Sequence, residues 1–149
     1  MNILLTTYLD MILSINIGNR NGQKSVSKPL CLLAIFDAIG NKELLSNKII
    51  FPNEYINKRF GLLYEQTYKN QKGYEVSFFI RPFFHLASSE FYHLIWKKEV
   101  VPPSMSATPS AKYLREHLQY AKLDDELWEL LQDAENRDYF RRKIINRYL

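Results

Sequence analysis

Apolar side chains recur every three or four residues in three stretches of the first half of the chain, a spacing that predicts amphipathic helices. The first stretch covers residues 3–15. The second opens at Lys28-Pro29, and its residues 30–39 are apolar on nearly all sides, so we expect a central, buried helix that Ser27 caps and Gly40 ends. The third follows Asn53, a good N-cap residue, and runs to about residue 69.

Alternating polarity and aromatic density predict strands in the middle of the chain. Residues 48–51 are a short strand candidate, and residues 74–81 alternate apolar with polar side chains. Two aromatic-rich runs then flank a polar break at residues 88–90, which favours a β-hairpin over residues 81–96. Because one face of this hairpin must pack on a core, we expect the helices to assemble around it. One wall of any ligand site is expected there too.

Helical spacing returns in the last third of the chain, after a long connection over residues 97–108. Ser110, the acids at residues 124–126 and Asp133 are each suited to begin a helix, since they can accept from free backbone N–H groups or favour the helix dipole. The predicted buried faces of the three helices are Leu114 with Leu118, then Leu127 with Leu130 and Leu131, then Phe140 with Ile144 and Tyr148.

These elements predict an α+β fold: a mostly helical single domain over residues 1–149 with a small antiparallel sheet. The order up to Trp96 is helix, helix, strand, helix, strands, which is the order of a winged helix-turn-helix protein. In that winged-helix-like N-terminal part the hairpin would be the wing, and the helix at residues 53–69 would enter a DNA groove.

Composition narrows the class of protein. The chain has 149 residues, of which 46% are hydrophobic and 14% aromatic, as expected for a globular domain that buries a core. The net charge of +4 is compatible with an anionic partner but does not require one. The one cysteine, Cys31, lies in an apolar run, so we expect a buried thiol and neither a disulfide nor a multi-cysteine zinc site.

We expect no signal peptide, because the apolar start lacks a basic segment and Asp10 interrupts it, and the sequence has no apolar run of the roughly 18 residues that a membrane span needs. Together with the missing disulfide, this favours the cytoplasm and predicts no membrane partner.

Catalysis has little support in the sequence. His85, His93 and His117 form no H-E-x-x-H motif, and ordinary sheet histidines are favoured over a two-histidine metal site in which His85 and His93 would be cross-strand neighbours. No G-x-S-x-G or phosphate-cradling glycine motif occurs, and the acids at residues 124–126 are best explained as a helix start. We therefore expect a protein that is not an enzyme and that uses no metal or cofactor.

The sequence offers more candidate residues for anion binding than for catalysis. Many cations fall in predicted loops or at element ends, where they can reach phosphates, although a solvated basic surface is the alternative: Arg20, Lys24, Lys28, Arg59, Arg81, Lys97, Lys98 and Lys112. In the hairpin region Arg81, His85 and Lys112 are expected near Phe84, Tyr92 and Pro109. A groove with both charge and dry aromatic surface suits a nucleic acid that carries a weakly hydrated group.

An ordered set of short motifs resembles a known family. The segments are Lys28-Pro29-Leu30-x-Leu32-Leu33-Ala34, Pro82-Phe83-Phe84-His85-Leu86, Phe91-Tyr92-His93-Leu94, Tyr120-Ala121-Lys122-Leu123-Asp124-Asp125-Glu126-Leu127-x-x-Leu130-Leu131 and Asn146-Arg147-Tyr148-Leu149. In this order they resemble the DNA sulfur-binding domain at the front of McrA-type restriction endonucleases, which act on phosphorothioate DNA. The resemblance spans nearly the whole chain.

The resemblance implies a bacterial defence module that binds phosphorothioate DNA and holds the sulfur in a small apolar pocket. It assigns the pocket loop to Ser106, Thr108, Pro109, Ala111 and Lys112, the facing side to Phe84 and His85, and the phosphate contacts to Lys28 and Arg81. Ala87 stands where the family has a basic residue, and Thr108 where it has an aromatic one. A His-Asn-His nuclease domain usually follows in the family, which implies a nuclease domain or subunit as a partner.

Two other classes of protein remain open on the sequence alone. One is a winged-helix-type binder of unmodified DNA. The other is a protein-interaction domain whose basic surface is merely solvated.

Overall fold

Helices dominate the described part of the chain, with two short antiparallel strand pairs between them. The structure, a computed structural model, describes residues 2–20, 23–69 and 78–149. Its elements in chain order are α1 Ile3–Ile12, β1 Asn19–Arg20, β2 Gln23–Lys24, α2 Ser27–Gly40, α3 Glu54–Tyr68, α4 Ile80–His85, a 3₁₀ turn at Leu86–Ser88, β3 Tyr92–Trp96, α5 Ala111–His117, β4 Leu118–Leu123, α6 Asp125–Leu130 and α7 Ala134–Tyr148. The predicted class, a mostly helical α+β fold with a small antiparallel sheet, is confirmed.

Helix α2 lies at the centre of the core, as its continuous apolar sequence predicts. Every residue from Pro29 to Phe36 is buried, and the helix packs against α3, α4 and α7. Cys31 is fully buried within it, and burial raises the pKa of its thiol. The polar residue Asp37 pairs with Arg59 on α3 at 2.6 Å and with Arg141 on α7. One carboxylate therefore joins three helices at the edge of the core.

Side-chain caps begin most of the predicted helices. Asn53 accepts from the backbone N–H of Ile56 at the start of α3, Ser110 caps α5, and Asp133 caps α7, all as predicted. Ser27 is wrong as an N-cap, because it already lies in the first turn of α2 and no side chain caps that helix.

The main sheet pairs β3 with β4. His93 faces Lys122 and Leu94 faces Ala121, and the backbone of Ile49 adds a single bridge to Ala121. The strand predicted at residues 48–51 is therefore reduced to one bridge. Leu118, predicted on the buried face of a helix, is buried but opens β4.

The hairpin predicted over residues 81–96 is wrong. Its first half is α4 followed by the 3₁₀ turn, and β3 pairs with a strand more than twenty residues later. Phe79, Phe83 and Leu86 are buried at helical spacing, and Pro82 sits in the first turn of α4, where its missing N–H costs nothing. Aromatic residues suit buried helices as well as strands, and tertiary packing decides between the two here.

Two consequences follow for the sequence predictions. The wing that a winged-helix protein needs is not found between residues 78 and 96, because the first half of that segment is helical. His85 and His93 are not cross-strand neighbours, since His85 ends α4. Of the strand predicted at residues 74–81, residues 74–77 lie outside the described residues, and the prediction is wrong for Ile80 and Arg81, which begin α4. The side chains of Arg20 and Lys24 also lie outside the described residues. Within the described ranges, no helix has the length and apolarity to cross a bilayer.

Candidate nucleic-acid interface

His85, the last residue of α4, meets the long loop that precedes α5. Its Nε2 lies 2.9 Å from the hydroxyl Oγ1 of Thr108, within hydrogen-bond distance. Below it, the ring of Phe84 lies edge-on at 5.0 Å between ring centroids and is fully buried. Phe84 therefore supports the imidazole from the core and does not itself face a ligand. The contact brings together two segments that the resemblance had assigned to opposite sides of one pocket.

Lys28, in the first turn of α2, is held beside the same turn. Its Nζ donates to the carbonyl of Asn16 at 2.8 Å and to the Ser88 hydroxyl at 3.2 Å, and that hydroxyl donates to the His85 carbonyl at 2.9 Å. The side chain is half-buried, and burial lowers the pKa of its ammonium group. An ammonium has three N–H donors, so one of them remains available to an anion.

Lys28, Arg81 and His85 lie close enough on this surface to interact electrostatically. The pKa of His85 is lowered from 6.5, first by burial and then by the charges of Lys28 and Arg81. Arg81 is exposed and lies one helical turn before His85 on α4. At neutral pH His85 is therefore an uncharged donor or acceptor beside two fixed positive charges. We refer to Lys28, Arg81, His85 and Ser88 as the cationic patch.

The loop beside the patch has small side chains, and it carries no charge between Ser106 and Ala111. Ser106 is exposed, and its N–H donates to the Ser104 hydroxyl at 3.1 Å. Thr108 and Pro109 are half-buried, and Ser110 then caps α5 by accepting from the N–H of Tyr113. We call residues 106–112 the pocket loop. Two exposed apolar side chains lie before this loop in the chain: Met105, directly before it, is 39% exposed, and Val101 is 82% exposed.

The structure thus brings together Lys28, Arg81, His85 and Thr108, with Pro109 next to Thr108 in the chain. Ala111 and Lys112 lie in the first turn of α5; Lys112 is exposed. Among the described residues, no hydrogen bond joins Ser106, Ala111 or Lys112 to the cationic patch. Tyr92, expected at the groove, is instead a core residue whose hydroxyl donates to the Phe83 carbonyl at 2.6 Å.

Sequence reasoning missed Ser88 and the carbonyl of Asn16 as partners of Lys28. The Ser88 hydroxyl bonds the carbonyl three residues earlier, a local pattern that a serine after a short helix can signal. The Lys28–Asn16 contact depends on how the chain before α2 folds back, and residue spacing gives no sign of it.

A second polar cluster lies where α1 meets β4 and α6. Asp124 accepts from the Tyr8 hydroxyl at 2.8 Å and also contacts Nε2 of His93, while Lys122 donates to Asp125 at 2.8 Å. These residues line an open cleft of about 270 Å³ together with Glu126. Burial, with Asp124 as the next cause, raises the pKa of Tyr8. The hydrogen bond from Tyr8 to Asp124 fastens α1 to the end of β4.

Metal ligation finds no support in the part of the chain that is described. There, no group of three histidine, cysteine or carboxylate side chains is arranged to hold an ion. Comparison of the chain with protein-family models and with curated proteins finds no match.

Proposed function

We propose that this domain binds DNA through the cationic patch and the pocket loop, and that it prefers a backbone in which sulfur replaces one non-bridging phosphate oxygen. The observation that carries the proposal is the contact between His85 and Thr108 beside Lys28 and Arg81. This contact places positively charged side chains next to the small, half-buried residues Thr108 and Pro109.

The cations account for affinity. Lys28 and Arg81 are suited to phosphate oxygens, and neutralising a phosphate releases condensed counterions, which makes binding depend on salt. Lys28 is already oriented by Asn16 and Ser88, so little side-chain freedom is lost when a phosphate binds. His85 can add a hydrogen bond to a phosphate or a base edge.

The pocket loop accounts for the preference for sulfur. Sulfur is larger, more polarisable and less hydrated than oxygen, so an apolar surface favours it. The methyl group of Thr108, the Pro109 ring and the Ala111 methyl would offer such a surface, since all three residues are half-buried in the pocket loop. Burial of one sulfur against them corresponds to about 1–2 kcal/mol of discrimination over oxygen.

The motif resemblance to the sulfur-binding domain of McrA-type restriction endonucleases supports the same assignment. On that basis we propose a binding module of a bacterial defence system, acting in the cytoplasm. The chain itself would not be catalytic. A His-Asn-His nuclease domain or subunit would cut the DNA to which this domain binds.

A gel-shift experiment tests the proposal. Two duplexes of one sequence, one with a single phosphorothioate and one unmodified, are titrated with the protein at several salt concentrations. The proposal expects binding that weakens with salt and is tighter for the sulfur duplex. Salt-independent capture of a protein partner without DNA binding would instead favour an interaction domain.

A further inference from the structure

Three aromatic rings form a row beside the pocket loop. Tyr113 on α5 lies between Trp96, the last residue of β3, and His117, one helical turn further along α5. Its ring centroid is 6.2 Å from that of Trp96 and 4.4 Å from that of His117. The N–H of Lys97 donates to the His117 carbonyl at 2.9 Å, which fixes the end of β3 against the end of α5. We call these three rings the aromatic strip.

The strip is partly open to solvent. All three side chains are half-buried, and the His117 side chain keeps 39% of its surface exposed. Trp96 packs against the core, yet none of the three rings is covered like Phe83 and Phe91, which are at most 1% exposed. The strip therefore offers aromatic surface for a ligand.

The charge around the strip is mainly positive. Lys97 and Lys98 follow Trp96 directly, and Lys112 and Arg115 flank Tyr113 on α5. All four are exposed, and none forms an ion pair with a described residue. The carboxylates nearby are fewer: Glu99, and Glu116, whose Oε2 lies 3.9 Å from Nε2 of His117. Aromatic rings bordered by unpaired cations are typical of surfaces that stack nucleobases and track a phosphate backbone.

The strip is also continuous with the proposed DNA site. The pocket loop runs into the first turn of helix α5, and the seven residues of that helix span about 10 Å. A nucleotide chain whose phosphate occupies the cationic patch can therefore reach the strip within a few nucleotides.

We propose that the aromatic strip binds an unpaired nucleobase of the same DNA by stacking, next to the phosphorothioate that the pocket loop holds. This inference rests on the proposed function. The ligand would then be a modified duplex with a single-stranded or locally opened segment on the side of α5. Stacking is tolerant of base identity, so the strip would add affinity without adding sequence preference.

The test compares a blunt duplex carrying one phosphorothioate with the same duplex extended by four unpaired nucleotides on either side in turn. One extended duplex is expected to bind about fivefold to tenfold tighter than the blunt one. Tyr113→Leu and His117→Leu should remove that gain and leave blunt-duplex affinity unchanged. Tyr113→Phe, which keeps the ring, should retain it. Tyr139→Leu, which removes a half-buried ring from α7, is the matched control and should also retain the gain.

A second measurement does not depend on the leucine variants folding. In a Trp128→Phe background Trp96 is the one remaining tryptophan, and a short oligo(dT) strand should quench its fluorescence. Blunt-duplex binding without any gain from either extension, and without quenching, would overturn the inference and leave the proposed function standing. Quenching by the strand with no duplex binding would support the strip and count against the proposed function.

Discussion

Nε2 of His85 and the hydroxyl of Thr108 lie 2.9 Å apart, although 23 residues separate them in the chain. This contact anchors the pocket loop to the end of α4. Thr108→Val keeps the shape of the side chain and removes the hydrogen bond, so the free energy of unfolding should fall by about 1 kcal/mol. Discrimination between sulfur and oxygen duplexes should fall with it, because the loop is less well held.

Chemical denaturation and duplex titration of the Thr108→Val variant check both effects. Thr7→Val is the control, since the Thr7 hydroxyl bonds only within α1. An unchanged stability together with unchanged discrimination would show that the contact does not position the loop.

Arg81 is an exposed cation whose proposed role is phosphate contact. Arg81→Gln should weaken binding to the sulfur and oxygen duplexes equally and reduce the slope of log affinity against log salt by about one. Arg142→Gln is the matched control, because Arg142 on α7 is already paired with Asp138 at 2.9 Å. A salt slope that Arg81→Gln leaves intact would remove Arg81 from the interface.

Binding should strengthen as the pH falls. In the free protein the pKa of His85 is lowered by burial, Lys28 and Arg81, and a bound phosphate would raise it by adding negative charge. Binding then takes up a proton, so affinity rises as the pH falls from 7.5 and levels off once free His85 is itself protonated. Titrations across this range measure the effect, and His85→Gln should flatten it. An equal pH dependence in the variant would mean that another group is responsible.

The lowered pKa of His85 also makes the folded protein less stable at low pH, where DNA binding is expected to be strongest. The unfolded chain, with an ordinary histidine pKa of 6.5, binds more protons than the folded one, so the contribution of His85 to stability is lost as the pH falls below about 6.5. Binding experiments at low pH therefore need a parallel check that the protein is folded.

Asp37 joins α2 to α3 and α7 through Arg59 and Arg141, and its side chain is only 15% exposed. Asp37→Asn leaves two arginines without their counter-charge and should cost about 2–3 kcal/mol, or about 5–10 °C in melting temperature. Asp138→Asn, at the exposed pair with Arg142, should cost less than about 1 kcal/mol. Thermal unfolding compares the two, and equal losses would mean that the Asp37 pairs are no stronger than surface pairs.

Much of the fold could be predicted from local patterns, because caps and buried stripes are local properties. Asn53, Ser110 and Asp133 begin their helices as predicted, and the continuous apolar run of α2 occupies the core. The hairpin failed because aromatic residues suit both strands and buried helices. The partner of β3 lies more than twenty residues away, beyond the reach of local spacing.

In the candidate site, too, local features could be predicted and tertiary contacts could not. The sequence shows which residue types form the cationic patch, but not the contact of His85 with Thr108, which depends on tertiary structure. Phe84 is buried because it lies on a helix and not on the predicted strand. Ser88, predicted in the polar break of a hairpin, orients Lys28 by accepting a hydrogen bond from its ammonium group.

The most direct test of the central claim is the ratio of dissociation constants for a sulfur duplex and its oxygen counterpart, measured by competition with each diastereomer at phosphorus separately. One diastereomer should bind about fivefold to thirtyfold tighter than the oxygen duplex, since only one of the two can direct sulfur at the pocket loop. Pro109→Gly should erode this ratio more than overall affinity, while Pro102→Gly should not. Equal affinity for both diastereomers and the oxygen duplex, or no binding of any, would contradict the account.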